Sequence, residues 1–443
     1  MQPSRTSKLS GLVLILIAMA AFSGQAFATY AAVGACTPPN PVTLAHTYAT
    51  IQLAVTSSAP GTIIQICPGT YPEQVVIGKK LTLLGVVDPT APTVDAAVIL
   101  PPTTGVVQNA SDVDDSHPIA AQIFVHDTFA ALVSISNVTV DGFGNQITGC
   151  LDFMGILYQN ASGTLNHLAV RNQVPGDVLS GCQSGESVYV QSGTGKTSKV
   201  TVENSSMHNY NKNGITGNDA GTTLNLTGNY VQGSGVILPP VAAQNGIQLG
   251  YGAKGSIISE TVIDNVYSDP NSYVSADILL VDTAENSGIK ISSNVLGNSQ
   301  LPIVLFTDFA YGASQYGDGV TITGNRIFGT SVYDAIDVCT SGNTVTGNTV
   351  FNSAESGIHL DASCGIFFGG PPTGNNNIAT GNTIVESSCA GILADPGTAG
   401  NNTTPDTYYT VPFTITSSTG ACTIPSQFAR AKGKTANRYS PKR

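Results

Sequence analysis

Acidic side chains and one histidine gather in the later part of the chain at regular intervals. Asp337, His359, Asp361 and Asp395 fall at matching places in three successive repeat segments. If those segments stack as strands of a sheet, neighbouring residues in a row are ~4.8 Å apart and diagonal neighbours are ~7–8 Å apart. Carboxyl pairs at such separations serve as acid and base in glycosidic chemistry. We therefore predict a catalytic site formed by these four residues.

The surroundings of these residues favour acid–base chemistry but leave two other interpretations open. Asp337 and Asp361 flank His359, and a carboxylate neighbour raises the pKa of a histidine and orients its ring. Two close carboxylates also raise the pKa of one of the pair. Three carboxylate oxygens at this spacing could instead hold Ca²⁺, although no cofactor is firmly predicted. The remaining interpretation is a solvated outer face of an acidic protein.

The upstream part of the same face carries aromatic and amide side chains. Tyrosine rings stack on sugars, and amides form neutral hydrogen bonds with hydroxyl groups. The candidate substrate-binding residues are Tyr158, Tyr189, Gln191 and Gln248, with Asp308 also assisting the catalytic group. An ordinary polar sheet surface would contain the same residue types.

An internal repeat indicates what positions these residues. Five segments share the pattern apolar, polar, Gly or Ser, Asn, any residue, apolar, and weaker copies extend the series. The key position holds Val138, Leu168, Ser205, Asn229, Thr261, Asn294, Asn325, Asn348 and Asn382. Four residues later come Gly142, Asn172, Asn209, Gly233, Asn265, Asn298, Gly329, Asn352 and Glu386. Glycine and asparagine tolerate a left-handed backbone, so these positions predict a recurring turn.

A second strand recurs once in every unit. It begins at Gly155-Ile156, Ser187-Val188, Gly214-Ile215, Gly246-Ile247, Asp277-Ile278, Pro302-Ile303, Ala335-Ile336, Gly357-Ile358 and Gly391-Ile392. Short strands at a fixed place, with no helical period between them, predict an all-β fold: one right-handed parallel β-helix. The asparagines would then form an inward ladder, hydrogen-bonded from coil to coil. A propeller blade of four strands does not fit into the shortest unit of 23 residues.

Composition and charge narrow the function. Only 10% of the 443 residues are charged, and 48 are glycine, which excludes a disordered chain and a helical bundle. Without residues 1–28 and the C-terminal tail, 9 basic and 28 acidic residues remain, a net charge of −19. Such a body excludes nucleic-acid binding and repels uronate polymers unless Ca²⁺ bridges them. Only Lys290 and Arg326 lie in the later coils, both away from the aspartate face, which favours neutral sugars or no catalysis.

The two ends of the chain carry separate signals. Residues 1–28 are predicted to be a signal peptide, with Arg5 and Lys8, an apolar run and Ala26-Phe27-Ala28 as the cleavage site. We therefore expect a secreted, periplasmic or cell-surface protein. Residues 29–85 would form the N-terminal cap and first coils, including a short capping helix around Ile51. Residues 86–427 would form the remaining coils, and 428–443 a basic disordered tail.

Eight cysteines in an exported chain favour disulfides over a metal–thiolate site. Cys150 and Cys182 each stand five residues before the second strand of adjacent units, so stacking would bring them within bonding distance. We also predict Cys36–Cys67, and proximity alone suggests Cys339–Cys364 and Cys389–Cys422.

The N-terminal region resembles a known group. Tyr48 to Val55, Pro60-Gly61-Thr62-Ile63, Pro68 to Glu73 and Leu81 to Gly85 are similar to the opening of the pectin-lyase-like β-helix superfamily, including NosD-type periplasmic proteins. The coils from about 135 to 395 are similar to the generic parallel β-helix repeat. This resemblance implies the fold but not one activity, because the superfamily includes lyases, hydrolases, esterases, epimerases and non-enzymes.

The sequence thus predicts an exported β-helix that acts on cell-wall or extracellular polysaccharide as a hydrolase or lyase. The alternative is a non-catalytic surface or periplasmic β-helix that binds glycan or a protein partner. We expect a monomer that neither spans a membrane nor binds nucleic acid.

Overall fold

The computed structural model describes residues 29–36, 46–87, 96–114, 116–128, 132–178, 181–236, 242–268, 274–307, 318–363 and 370–417. Within these residues the chain winds through three long sheets, and every neighbouring pair of strands along each sheet is parallel. The predicted signal peptide at 1–28 and the predicted tail at 428–443 lie outside the described residues. In the described part, no helix is long and apolar enough to cross a bilayer.

Strands are numbered in chain order. The first sheet contains β1 Tyr30–Val33, β2 Thr47–Tyr48, β3 Ile63–Ile66, β6 Leu81–Gly85, β10 Val133–Ser136, β14 Gly163–Asn166, β18 Ser198–Glu203, β21 Thr222–Thr227, β24 Lys254–Ile258, β27 Lys290–Ser292, β30 Thr321–Thr323, β33 Thr344–Thr346 and β36 Ile378–Thr380. The second contains β4 Gly69–Pro72, β7 Ala97–Leu100, β11 Thr139–Asp141, β15 Ala169–Arg171, β19 Ser206–His208, β22 Tyr230–Gln232, β25 Thr261–Ile263, β28 Val295–Gly297, β31 Arg326–Phe328, β34 Thr349–Ser353, β37 Thr383–Ser387 and β39 Thr407–Tyr409.

The third sheet contains β5 Val75–Ile77, β9 Pro118–His126, β13 Asp152–Gln159, β17 Glu186–Gln191, β20 Asn213–Asn218, β23 Asn245–Gly250, β26 Ala276–Val281, β29 Leu301–Phe306, β32 Ile336–Val338, β35 Ile358–Leu360, β38 Ala390–Ala394 and β40 Phe413–Thr416. Short β8 Ala110–Ser111 pairs antiparallel with β9, and β12 Thr148–Gly149 pairs with β16 Asp177–Val178. One coil therefore takes one strand from each long sheet, which confirms the predicted solenoid.

The core follows from the period-two pattern of the strands. Ile156, Val188, Ile215, Ile247 and Ile278 occupy one register column of the third sheet, which continues through later coils. All five are fully buried in one continuous apolar cluster with the inward residues of the other sheets. β-Branched side chains pack well on a pleated surface, so a column of them stabilises the stack. The predicted alignment of the second strand is thus confirmed.

The asparagine ladder is present, with one correction. Asn325 Nδ2 donates to Asn348 Oδ1 at 2.9 Å, and Asn348 Nδ2 donates to Asn382 Oδ1 at 3.0 Å. The assignment of Thr261 to the ladder is wrong, because Thr261 pairs with Tyr230 in the ladder's flanking strand. Glu260 occupies the position instead and accepts from Asn229 Nδ2 at 3.2 Å.

The recurring turn shifts by the same residue in that coil. Asp264, not Asn265, has the left-handed backbone there, with φ of 63°. Asn172, Asn209, Asn298, Asn352 and Glu386 have positive φ as predicted. Gly329 also has positive φ, but Gly142 and Gly233 do not. Glycine is needed at these two positions for space, because a Cβ at Gly142 would lie 2.4 Å from the carbonyl oxygen of Asn172, and one at Gly233 would lie 2.5 Å from that of Asp264.

The first coils are closed by a helix, α1 Ile51–Ser57. Thr50 caps its N-terminus by accepting from the Leu53 amide, and the Glu73 carboxylate accepts from the amides of Ile51 and Gln52 at 2.8 Å each. Ile51, Ala54 and Val55 are buried against the core, as expected for a capping helix. The helix thus covers the open end of the apolar column.

Two disulfides link neighbouring coils. Cys36 is bonded to Cys67 with a Cα separation of 5.6 Å, and Cys150 to Cys182 with 5.4 Å, both as predicted. Cys339 and Cys389 are also disulfide-bonded. Their predicted partners, Cys364 and Cys422, lie outside the described residues.

Candidate functional site

The outer face of the third sheet carries the predicted site residues in aligned rows. Asp337 pairs in register with His359, and His359 with Leu393. Tyr189, Thr216 and Gln248 occupy the same row five, four and three coils before Asp337, as expected. The strands of the third sheet therefore hold Asp337, His359, Tyr189 and Gln248 on one face.

These rows are buried, which corrects the predicted outward and solvated face. Asp337, His359 and Asp361 have no exposed surface, and Asp395 is 5% exposed. The interpretation of these four residues as a solvated acidic surface is therefore wrong. A buried charge needs a partner, so their arrangement has to be judged from their contacts.

Five residues form what we call the acidic cluster: Asp334, Asp337, His359, Asp361 and Asp395. His359 Nδ1 lies 3.2 Å from Asp334 Oδ2, and His359 Nε2 lies 3.2 Å from Asp395 Oδ1. We expected Asp337 and Asp361 to flank the imidazole, but Asp334 and Asp395 make the direct contacts. Asp334 is held in turn by the Ser356 amide, which donates to its Oδ1 at 2.8 Å.

The imidazole is the positive centre of the cluster. Burial alone lowers the pKa of His359, but the charges of Asp361 and Asp334 and the hydrogen bonds that its ring donates to Asp334 and Asp395 raise it well above 6.5. An imidazolium between carboxylates compensates their charge where water cannot. The cluster is therefore a network of buried ion pairs centred on His359.

One proton is held between two carboxyl groups beside the imidazolium. Burial raises the pKa of Asp361 to about 7, although the positive charge of His359 opposes the rise. Burial also raises the pKa of Asp395, but its hydrogen bond with His359 and the charge of His359 bring the pKa below 3.8. Asp361 and Asp395 are hydrogen-bonded to each other, so a protonated acid faces an ionised one. Two carboxyls with separated pKa values are the arrangement that acid–base catalysis uses.

The cluster also contains groups that could ligate a metal. Ligand atoms of Asp334, Asp337 and His359, and those of His359, Asp361 and Asp395, lie within 4.8 Å of one another. Both ring nitrogens of His359 already contact carboxylates, and Cys339 beside them is in a disulfide. The carboxylate oxygens in these groups are the type of ligand that Ca²⁺ prefers, whereas the imidazole nitrogens and the disulfide sulfur are not.

The predicted binding residues separate into three groups. The assignment of Tyr158 is wrong, because its side chain points into the coil and its hydroxyl donates to the carbonyl of Val133 at 2.9 Å. Tyr189, Gln191 and Gln248 do lie on the outer face, but all three are buried. Asp308 lies outside the described residues.

The outer face of coils β17 to β23 carries what we call the amide cluster: Tyr189, Gln191, Asn213, Thr216, Asn218, Asn245 and Gln248. Asn218 Nδ2 donates to Tyr189 Oη at 3.0 Å, and Gln248 Nε2 donates to Asn218 Oδ1 at 3.0 Å. Asn213 Nδ2 donates to Gln248 Oε1 at 3.3 Å. Apart from Gln191, the amides form a chain of neutral side chains with few alternative rotamers, since each is bonded to the next.

Sequence reasoning missed two charged residues at this cluster. Burial raises the pKa of Glu186 to about 8, and burial lowers the pKa of Lys212 to about 7. Lys212 Nζ donates to the carbonyl of Ala243 at 3.0 Å. Glu186 pairs in register with Asn213 in a third outer row, and it lies two residues before the buried Val188. Alternation from Tyr189 and Gln191 would have selected Ser187 instead, so the row pattern gave no signal for Glu186.

An apolar belt separates the two clusters. It comprises Ala276, Leu279, Val281, Leu301, Val304 and Phe306 on β26 and β29, packed with Tyr333. The belt spans the face between Gln248 and Asp337, so no polar residue of the rows bridges the clusters there. The two cations predicted to lie elsewhere do so: Lys290 is on the first sheet, and Arg326 on the second covers the ring of Phe351.

Comparisons with known proteins define the fold. No family model and no curated protein matches the chain. Its fold is similar to that of a GH136 lacto-N-biosidase from Eubacterium ramulus, with a TM-score of 0.55, 12% identity, and coverage of 88% of this chain and 68% of that one. The A-module of mannuronan C-5 epimerase AlgE4 from Azotobacter vinelandii gives a TM-score of 0.54 at 12% identity, covering 82% of this chain and 91% of that one. The Dettilon tailspike protein gp208 gives 0.51 at 14% identity, covering 81% and 64%.

These likenesses, together with the parallel sheets, show that the protein has the right-handed parallel β-helix fold. The resemblance noted in the sequence is thus confirmed for the fold. Sequence identities of 12–14% are evidence for a shared fold and not for a shared activity.

Proposed function

We propose that this protein is an exported β-helix enzyme that acts on a cell-wall or extracellular polysaccharide through the acidic cluster. The observation that carries the proposal is the hydrogen-bonded pair of Asp361 and Asp395 beside His359. A carboxyl whose pKa is about 7 next to an ionised carboxylate can release and take up a proton at neutral pH.

The residues take separate roles in a hydrolysis. Asp361 donates its proton to the glycosidic oxygen as the bond to the anomeric carbon breaks. Asp395 accepts a proton from the water whose oxygen bonds to that carbon, so one water is consumed. The His359 imidazolium stabilises the negative charge that remains, and Asp334 fixes the ring. Asp337 supplies a further carboxylate in the adjacent row.

The contact between the two carboxyls sets a condition on substrate binding. Direct contact is closer than the roughly 5–5.5 Å that separates a retaining pair. A bound sugar must therefore move them apart, which exposes both to the scissile bond. Asp395 alone retains exposed surface, so we infer that the sugar enters from its side.

Hydrolysis of a neutral glycan fits the charges better than elimination from a uronate. A lyase needs a cation to neutralise the substrate carboxylate, and within the described acidic cluster only His359 is positive. Ca²⁺ held by the aspartates would be needed to bring a uronate to this face. A lacto-N-biosidase and a mannuronan epimerase share the fold, which supports a carbohydrate substrate without selecting one.

The second candidate function is a non-catalytic glycan-binding β-helix. The specific observation in its favour is the complete burial and internal compensation of the acidic cluster, which is what a structural ion network also requires. Export itself rests on the N-terminal sequence and on the disulfides.

The deciding experiment is a polysaccharide panel assayed with and without Ca²⁺ for wild type and two variants. Asp361→Asn keeps the shape of the protonated acid but cannot transfer its proton. Asp277→Asn is the matched control, because Asp277 is a buried carboxyl on the same sheet outside the cluster, hydrogen-bonded to Asn265. The proposal predicts that Asp361→Asn abolishes turnover while Asp277→Asn keeps it. Equal turnover by all three proteins, or glycan binding without turnover in any of them, would favour the second candidate.

A further inference from the structure

Gln191 stands apart from the hydrogen-bond chain of the amide cluster. Its side chain is fully buried, yet neither Nε2 nor Oε1 has a hydrogen-bond partner in the described structure. Its neighbours in the row are Gln159, whose Nε2 donates to the carbonyl of Ser111, and Asn218, which is bonded to Tyr189 and Gln248. The one amide that completes no internal bond therefore lies beside a preformed chain of others.

A buried amide without partners destabilises a fold, because it has lost its water and gained no bond in return. Such groups persist where a ligand supplies the missing bonds, at some cost in stability. Gln191 offers two donor hydrogens and one carbonyl acceptor. A pair of sugar hydroxyls, each able to donate and accept, matches that set.

The charges around the amide cluster select against an ionic ligand. Glu186 lies in an outer row of the cluster and Lys212 directly precedes β20, and their opposite charges offset each other when both are ionised. Asp112 lies close enough to influence both Glu186 and Tyr189, and Asp219 influences Tyr189. Among the described residues, Lys212 is the one cation whose charge acts on Glu186, and none acts on Tyr189, so a uronate would meet uncompensated negative charge.

We propose that the amide cluster is a subsite for an uncharged saccharide, with Gln191 binding its hydroxyl groups and Tyr189 offering an adjacent polar aromatic side chain. This inference rests on the proposed function and adds a substrate class to it. β17 and β32 are five strand steps apart, which is about 24 Å along the axis. A saccharide that occupies both clusters must therefore be a long, extended oligosaccharide, and a disaccharide cannot reach from one to the other.

The test compares Gln191→Leu with Gln159→Leu as the matched control, since Gln159 is the preceding residue of the same row and its amide is already bonded. The probes are neutral hexasaccharides of glucose, xylose, mannose and galactose, the corresponding disaccharides, and hexagalacturonate. Calorimetry measures binding, and initial rates give KM and kcat. A neutral hexasaccharide should bind wild type best, and Gln191→Leu should weaken it roughly tenfold through KM with kcat unchanged. Gln159→Leu should leave KM as it is.

The melting temperature of the variant provides a second, independent measurement. Gln191→Leu should melt at the same temperature as wild type or higher, because it replaces an unpaired amide with an apolar group of similar size. If that variant fails to fold, Gln191→Met tests the same loss with an unbranched side chain. Unchanged binding by either folded variant would overturn the subsite. So would preference for hexagalacturonate, no binding of any neutral hexasaccharide by wild type, or a crystal structure in which Gln191 binds ordered water alone while the sugar lies elsewhere.

The two proposals can fail separately. An inactive Asp361→Asn with an unaffected Gln191→Leu would remove the subsite and keep the acidic cluster as the active site. A weakened Gln191→Leu with a fully active Asp361→Asn would keep the subsite and place the chemistry elsewhere.

Discussion

The acidic cluster and the amide cluster occupy the same face of the same sheet, yet they are built on opposite principles. In the acidic cluster, four carboxyl groups surround one imidazole, and stability depends on charge compensation. In the amide cluster, neutral side chains bond to one another in series. The apolar belt on β26 and β29 keeps the two networks apart.

This difference shows what a β-helix face can be made to do. Stacked strands place each residue directly above its equivalent in the next coil. One stretch of a row can therefore consist of charged residues, and another of neutral residues that hydrogen-bond to one another. A carboxyl group whose pKa lies near the ambient pH can transfer a proton, whereas a fixed chain of amides can bind the polar groups of a ligand. The comparison predicts that the two clusters respond differently to substitution and to pH.

The largest effect should come from removing the central imidazole. His359→Leu leaves Asp334, Asp361 and Asp395 buried without their positive partner, so we expect a loss of about 3–5 kcal/mol in unfolding free energy at pH 7. Urea denaturation measures it. His126→Leu is the control, because this histidine is partly exposed and its ion-pair partner Asp127 is exposed, and the substitution should cost less than about 0.5 kcal/mol. Equal effects of the two substitutions would show that the acidic cluster is not an ion network.

The second prediction concerns pH. The pKa of Asp361 rises on folding from 3.8 to about 7, so its contribution to stability is complete below pH 3.8 and is lost as the pH rises through 7. The pKa of His359 is also raised, so its contribution to stability is complete below pH 6.5 and is lost as the pH rises through the higher pKa of the folded state. Asp395 has a lowered pKa, so its contribution disappears only as the pH falls below 3.8.

Wild type should therefore lose stability between pH 4 and pH 8 relative to Asp361→Asn, by an amount on the order of a few kcal/mol. Melting temperatures across this range provide the measurement. Parallel curves for the two proteins would mean that Asp361 ionises normally in the fold.

A smaller effect is expected in the amide cluster. Gln248→Leu removes the acceptor of Asn213 Nδ2 and the donor to Asn218 Oδ1, so we predict a loss of about 1–2 kcal/mol. The loss should be the same at pH 5 and pH 8, since none of these amides titrates. A loss that varies with pH would indicate that Gln248 is coupled to Glu186 and Lys212.

The fold was largely predictable because the β-helix repeats its signals in every coil. The isoleucine and valine column fixed the register well enough to predict Cys150–Cys182. The error at Thr261 arose where a coil has no asparagine: a glutamate with a raised pKa takes the position, and it accepts the same bonds. Local pattern cannot anticipate that substitution, since a buried glutamate has no sequence signature.

The site was predictable in its position but not in its environment. Alternation along a strand separates inner from outer residues, and by that rule Tyr158, two residues after Ile156, belongs inside. Alternation does not tell whether an outer row meets solvent, and here it does not. The contact of Asp334 with His359 was also out of reach, because Asp334 precedes its strand and its direction depends on the Ser356 amide of the next coil.

The most direct test of the account is a crystal structure of Asp361→Asn soaked in turn with the neutral hexasaccharides. The account predicts a sugar within hydrogen-bond distance of Asp395 and Asp337, with the two members of the former carboxyl pair moved apart and the chain extending toward Gln248. If every complex places the saccharide on another surface and leaves the acidic cluster closed around His359, the cluster is a structural ion network and the proposed active site is wrong.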